Sequence, residues 1–217
     1  MSRTGGQARR RTLLEEAVRL FGHKGYEGAS LDAVARAAGV RKQTLLYYFP
    51  TKELLLEACV IDTSQRVAIA LAEALDAEAS ASKKAETVVH TLFRLAGEWP
   101  EFGQFVREAS RLGPDVVERF ASVLEPLRLR ALAFLANGMI EGQIRRQDPA
   151  LLLFTLYTAV IGSITEAGVL RAVVGEDRSR TALHAREEEV LTFVRNALTP
   201  ASRADGERRP GPAAASG

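Results

Sequence analysis

Cysteine is nearly absent from this chain: Cys59 is the single one among 217 residues. An internal disulfide is excluded, Cys59 reads as a small buried hydrophobe, and a reducing cytoplasmic compartment fits. Histidine is almost as scarce, and His23, His90 and His184 lie far apart. Neither a His/Cys metal spacing nor a phosphate-cradling glycine loop occurs. Glu15–Glu16 and the acidic run 187–189 read as solvated helix faces rather than paired catalytic acids. No catalytic set, metal or cofactor is therefore expected. Repeats at solenoid periods are also missing. Long apolar runs are lacking, with one exception at 149–165, which carries no charge. It falls short of a comfortable membrane span and includes Thr155, Tyr157, Thr158, Ser163 and Thr165. No basic cluster or aromatic pair marks two membrane faces, so a buried or subunit-interface helix is expected, with no membrane partner. The first eleven residues are polar and arginine-rich, and no apolar signal segment follows them.

What remains is an ordinary soluble composition, 47% apolar and 26% charged, on a chain long enough to bury a real core. The net charge of +2 hides an uneven distribution. Residues 1–52 hold ten Lys/Arg and four Asp/Glu, or +6, while 53–217 hold 19 and 23, or −4. A basic quarter on an acidic body points to a polyanion partner at one end. A solvated basic tail would give the same sign, because Arg9, Arg10 and Arg11 supply half of the surplus.

The apolar periodicity is helical throughout, giving an all-α fold of about nine helices. Residues 1–8 are small and polar and are expected to be disordered. Leu13, Leu14, Ala17, Val18 and Phe21 form one face of a helix over 9–23, which Gly25 ends. Ser30 caps a short helix with Asp32 in its first turn, and Leu31, Val34, Ala35 and Ala38 line it. Gly39 breaks it, a third segment covers 42–49, and Pro50 stops that one. Thr51 caps a long amphipathic helix reaching about residue 77. Further helices are expected over 83–99, 101–112, 114–142, 149–174 and 181–198, separated by Gly, Pro and Asp punctuation. Residues 199–217 read as a floppy tail.

The informative stretch is 30–52, SLDAVARAAGVRKQTLLYYFPTK. Two short helices joined by a tight glycine turn make a helix-turn-helix, whose second helix enters the DNA major groove. Val34, Ala35, Val40, Leu45 and Phe49 would pack the unit, leaving Arg41, Lys42, Gln43, Thr44, Tyr47 and Tyr48 outward. Arg and Lys neutralise phosphate or read guanine, Gln pairs with adenine, and hydroxyls contact phosphate oxygens. A purely structural hairpin with a basic surface is the competing reading.

From RRRTLLEEAVRLFGHKGYEGASLDAVARAAGV through RKQTLLYYFPTKELL, the sequence resembles the TetR family of bacterial regulators. Helix, glycine stop, aromatic, cap, turn and the TLxYYFxxKExL pattern fall in family order. The resemblance implies a helix-turn-helix DNA-binding domain over about 9–60, with the motif at about 31–50. It implies a ligand-binding and dimerisation domain over about 61–198. It also implies that Ser30, Thr44, Tyr48 and Lys52 hold phosphate, and that Arg41, Lys42, Gln43 and Tyr47 face base edges or neighbouring phosphates. Three positions depart from the family: a serine is frequent where Arg41 stands, a small residue at Gln43, and a tyrosine at Leu46. Leu46 either touches a thymine methyl or is partly buried.

Beyond residue 60 the resemblance implies architecture and little chemistry. The helix over 149–174 is apolar on more than one face and must be covered by neighbours or a second subunit. The helix over 181–198 carries one apolar stripe. The family pairs these two helices with their symmetry mates. Tyr157, Ile161, Ile164, Leu183, Val190, Leu191 and Val194 are the expected homodimer contacts, with an ordinary intrachain core as the alternative. The candidate effector contacts are His90, Phe93, Trp99, Phe102, Phe105, Phe134, Met139 and Tyr157, with Glu166 a further polar one. Each also reads as plain core. A pocket this apolar favours a hydrophobic small molecule. The sequence thus describes a ligand-responsive regulator that binds a palindromic DNA operator as a homodimer. A repressor is expected; an activator of the same fold, an all-α enzyme and a nonspecific architectural DNA protein are the alternatives.

Overall fold

The computed structural model describes residues 3–76, 79–175 and 179–200. Among these residues there are ten helices and no strand. In chain order they are α1 (Arg3–Gly28), α2 (Leu31–Ala37), α3 (Lys42–Tyr48), α4 (Lys52–Asp76), α5 (Ala81–Glu98), α6 (Glu101–Ser110), α7 (Pro114–Ile140), α8 (Pro149–Thr165), α9 (Ala167–Val174) and α10 (Arg180–Leu198).

Most boundaries follow from local capping chemistry. The Ser30 hydroxyl accepts the Ala33 N–H at 3.2 Å and starts α2. Gly39, at φ +66, makes the left-handed turn that separates α2 from α3. The Thr51 hydroxyl accepts the Leu54 N–H at 3.2 Å to start α4. The Asp148 carboxylate accepts from Ala150 and Leu151 at 2.8 and 2.9 Å, ahead of Pro149 at the first turn of α8.

Two expectations are corrected. The first helix begins at Arg3, so residues 3–8 of the expected disordered tail are helical. This turn packs on the head: a Cβ built on Gly6 would lie 3.6 Å from the Tyr48 hydroxyl. Thr12 adds a bond from its hydroxyl to the Ala8 carbonyl at 3.2 Å. The single helix expected over 149–174 is two helices, because the chain turns at Glu166 (φ −89, ψ 46). Gly162, Ser163, Thr165 and Gly168 surround that turn, and all are weak helix formers. The split gives ten helices, in keeping with an all-α fold of about nine. Of the expected C-terminal tail, residues 201–217 lie outside the described residues.

Two apolar clusters hold the chain together. The first joins α1, α2, α3 and the start of α4 through Leu14, Phe21, Val34, Leu45 and Leu55, all at most 1% exposed. Cys59 belongs to it; its thiol faces the Leu14 carbonyl at 3.8 Å, and burial pushes its pKa up. The second lies among α5, α7, α8 and α10, around Phe93, Leu135, Leu152 and Leu191. Helix α6 belongs to both: Phe105 and Ala109 enter the first cluster and Phe102 the second. Trp99, just before α6, packs against both.

The shared helix sits very close to α1. A Cβ on Gly22 would stand 3.1 Å from the Gln104 Cβ, 3.2 Å from the Phe105 nitrogen and 3.3 Å from the Glu101 oxygen. A side chain here would have to push α6 back by a few tenths of an ångström, which glycine spares. The Phe21 and Phe105 rings stack with centroids 6.5 Å apart. The N-terminal helices are thereby fastened to the rest of the molecule through α6 as well as through the continuous α4.

Candidate nucleic-acid interface

Helix α3 has two distinct faces. Leu45 is fully buried and Phe49, just beyond the helix, is 3% exposed. Arg41, Lys42, Gln43 and Tyr47 are exposed, Tyr47 at 82%. Thr44, Leu46 and Tyr48 are half-buried at the border between the two faces. Within the chain the Tyr47 ring meets only the edge of Tyr48, with centroids 5.3 Å apart, and most of its surface stays open. It is available to a partner.

The charges around α3 are arranged to keep cations outward. Lys42 pairs with Asp32 at 2.6 Å, but both side chains are about half exposed, so the pair is weak and exchangeable. Arg10 lies over the Phe49 ring at 5.4 Å. Arg41 and Thr44 line a shallow cleft of about 590 Å³ together with Arg9, Thr12, Gly5 and Gly39. The early start of α1 creates this cleft. Arg9 and Thr12 were not among the expected contacts; the arginine run before the first apolar face was the signal in the sequence.

Ser30 lies at the start of α2, with its hydroxyl oxygen engaged as the cap. Lys52 stands at the start of α4, its ammonium 4.3 Å over the Tyr26 ring and 3.4 Å from the Glu27 carbonyl it donates to. The Tyr26 hydroxyl donates to Glu53 at 3.1 Å. Burial, followed by the bond to Glu53, pushes the Tyr26 pKa up to about 12, so the hydroxyl keeps its proton as a donor. Glu53 is held below the usual carboxylate range by its own backbone N–H, then by the Thr51 and Tyr26 hydroxyls. Arg41 and Thr44 are thus brought together on the α1-side cleft, and Lys52 sits against Tyr26.

The expected effector residues do not surround one cavity. Phe105 belongs to the N-terminal cluster, whereas Phe93, Phe102 and Met139 are buried in the other. Phe134 and Trp99 are half-buried, and Arg66 covers the Trp99 ring at 4.0 Å. His90 is on the surface, paired with Glu187 at 2.7 Å. Tyr157, together with Glu166, lines a cleft of about 550 Å³ between α6 and α8, with Val106, Arg107, Arg111 and Ile161.

The expected dimer residues also separate. Val190, Leu191 and Val194 are at most 8% exposed, taken up by the chain's own core. Ile161, Ile164 and Leu183 are half-buried. An apolar stripe at helical spacing shows that a face is covered, but not by which chain. On α8 and α10 the large apolar side chains left open are Leu151, Phe154 and Tyr157, at 67, 62 and 52%, and Phe193 at 46%, and on α9 Val169 and Val173 are open at 58 and 77%. No helix among the described residues is long and apolar enough to cross a membrane. No group of three metal-ligating side chains occurs among them either.

Residues 13–59 match the domain described as bacterial regulatory proteins, tetR family. The HTH-type transcriptional regulator RutR of Escherichia coli is 25% identical over 195 residues, covering 89% of this chain and 92% of RutR. UidR of Escherichia coli, another HTH-type transcriptional regulator, is 22% identical over 183 residues, covering 84% and 90%. The fold is similar to that of FadR from Bacillus subtilis in complex with stearoyl-CoA, with a TM-score of 0.73 at 18% identity over 87% of this chain and 98% of FadR. It is similar also to AibR in complex with isovaleryl coenzyme A and operator DNA, with a TM-score of 0.69 at 20% identity over 89% of this chain and all 100% of AibR. An exposed cationic helix after a glycine turn, the matched domain and the shared all-α fold lead to one conclusion: residues 13–59 form a tetR-family domain, and the chain resembles HTH-type transcriptional regulators over most of its length.

Proposed function

We propose that this protein is a ligand-responsive repressor that binds a palindromic operator as a homodimer and lets go when a small hydrophobic molecule binds. The observation that carries the reading is the double membership of α6, built into the core beneath α3 and into the core of the body. A ligand that shifts α6 must also disturb the DNA head, which is what release requires. The α6–α8 cleft sets the Arg107 and Arg111 cations beside apolar Val106 and Ile161, a combination suited to a molecule with an apolar and an anionic part. Acyl-CoA thioesters, which FadR and AibR hold in their complexes, are the first compounds to try.

In this reading Arg41, Lys42, Gln43 and Tyr47 face base edges, and Ser30, Thr44, Tyr48 and Lys52 hold phosphates. Leu46, half-buried at the border, supports the helix more than it reads bases. A dimer would place two α3 helices about one DNA turn apart, ~34–36 Å. The open α8 side chains Leu151, Phe154 and Tyr157 supply an apolar surface for the second subunit. Selection of bound DNA from a random pool, followed by in vitro transcription from the selected site, tests the reading. A palindrome, lowered transcription and relief by an acyl-CoA are expected. Binding without sequence preference at physiological salt would overturn it, and raised transcription would identify an activator.

A further inference from the structure

We infer that Tyr26 is a positioning residue for DNA binding: its ring holds the Lys52 ammonium at the phosphate-facing start of α4. The inference rests on reading Lys52 as a phosphate contact. Lysine is a long, flexible point charge, and a free one loses much rotamer entropy when a phosphate captures it. Here the ammonium is already placed, 4.3 Å over the Tyr26 ring, with one donor directed at the Glu27 carbonyl 3.4 Å away. The ring takes up charge without neutralising it, so N–H groups remain for an anion.

Tyr26 also keeps the adjacent carboxylate occupied. Its hydroxyl donates to Glu53 at 3.1 Å, while the Lys52 charge acts on Glu53 only as the weakest of the causes that lower its pKa. The Tyr26 backbone is held from α6 and its ring from α1. The Tyr26 N–H donates to the Glu108 carboxylate on α6 at 2.7 Å, and the ring packs 5.6 Å from that of Phe21. The position of a phosphate-binding charge is thereby set by the helix shared between the two cores.

The test is the salt dependence of operator binding, measured by fluorescence anisotropy on the full chain with active fraction set by stoichiometric titration. Lys52→Ala removes one phosphate contact in each subunit of the dimer, so it should flatten the slope of log K against log salt by about 1.8 and weaken binding on the order of thirtyfold near physiological salt. Tyr26→Leu should flatten the slope similarly, and adding Tyr26→Leu to Lys52→Ala should change it no further. Tyr26→Phe keeps the ring and frees only the Glu53 carboxylate, so it should keep most of the slope. Pentafluorophenylalanine at position 26 keeps the shape, reverses the ring quadrupole and should lose it, which separates charge positioning from packing. An unaltered slope in Tyr26→Leu or the pentafluoro variant, beside a flattened one in Lys52→Ala, overturns the inference alone. An unaltered slope in Lys52→Ala overturns both it and the phosphate reading of Lys52.

Discussion

The Glu108 carboxylate accepts the backbone N–H of Tyr26 at 2.7 Å across 82 residues of sequence. The chain leaves helical geometry at Gly25 (φ 73, ψ 165), so the next N–H has no partner within its own helix. An acidic side chain from α6 supplies one. The same carboxylate lies 3.0 Å from where a Gly25 Cβ would be, so bond and glycine belong to one arrangement. Replacing Glu108 with Ala should lower the unfolding free energy by about 2 kcal/mol, the range for a charge-assisted bond. Glu108→Gln, which can still accept, should lose less. Urea unfolding reads the difference; equal midpoints for all three proteins would show that this bond contributes nothing.

Two glycines with different surroundings should answer differently to alanine. At Gly22 the new methyl meets backbone atoms of Glu101 and Phe105 at 3.2–3.3 Å, and α6 must move to admit it. The overpacking cost of about 1–3 kcal/mol outweighs the helix-propensity gain of about 1 kcal/mol, and a net loss is expected. At Gly39 nothing lies within 4 Å, and only the φ of +66 resists a side chain. Gly39→Ala should cost about 1–2 kcal/mol and Gly39→Asn less, because Asn adopts the left-handed region more readily. Thermal unfolding of the three variants checks the order. A stabilised Gly22→Ala would mean that α1 and α6 can separate freely.

Gln43 is exposed on α3 and has no role in the core. Gln43→Ala should therefore leave stability and nonspecific DNA affinity unchanged while altering the preferred bases at one or two positions in each half-site. Discrimination there should fall by about 1–3 kcal/mol. Repeating the selection from a random pool with the variant reveals the change. An identical preferred site would remove Gln43 from the base-reading set.

Association through α8 predicts that a charge at its open centre splits the dimer. Phe154 is 62% exposed, so Phe154→Glu leaves the chain's own core untouched. Sedimentation equilibrium should show a folded monomer, and operator affinity should drop with loss of the second half-site. A variant that remains dimeric would place the subunit contact elsewhere.

Arg195 on α10 donates to Glu86 on α5 at 3.0 Å and holds that carboxyl below the usual range. A carboxylate with a depressed folded pKa stabilises the protein fully above its unfolded value, ~4.3, and loses that contribution as pH falls through the folded one. Arg195→Ala should therefore lower the unfolding midpoint at pH 7 and converge on the parent protein in increasingly acid buffer. A difference that stays constant down to pH 3 would assign the effect of Arg195 to packing of its stem.

The short-range features of this protein are legible in its residues. Ser30 and Thr51 cap their helices through bonds spanning three residues, as the observed caps bear out, and Gly39 and the break before Pro149 fall where the sequence punctuates. The outward set on α3 is legible for the same reason: seven residues of helix offer one apolar side, and Leu45 occupies it. Tertiary packing alone decided the rest. It extended α1 to Arg3, bringing Arg9 beside Arg41, and it gave the Val190, Leu191 and Val194 stripe to the chain's own core. It also split Phe102 and Phe105 between two clusters, although three residues apart on a helix they looked like one pocket wall. Periodicity records that a face is buried, whereas the identity of its cover, and a bond such as Glu108 to Tyr26, depend on which helices meet.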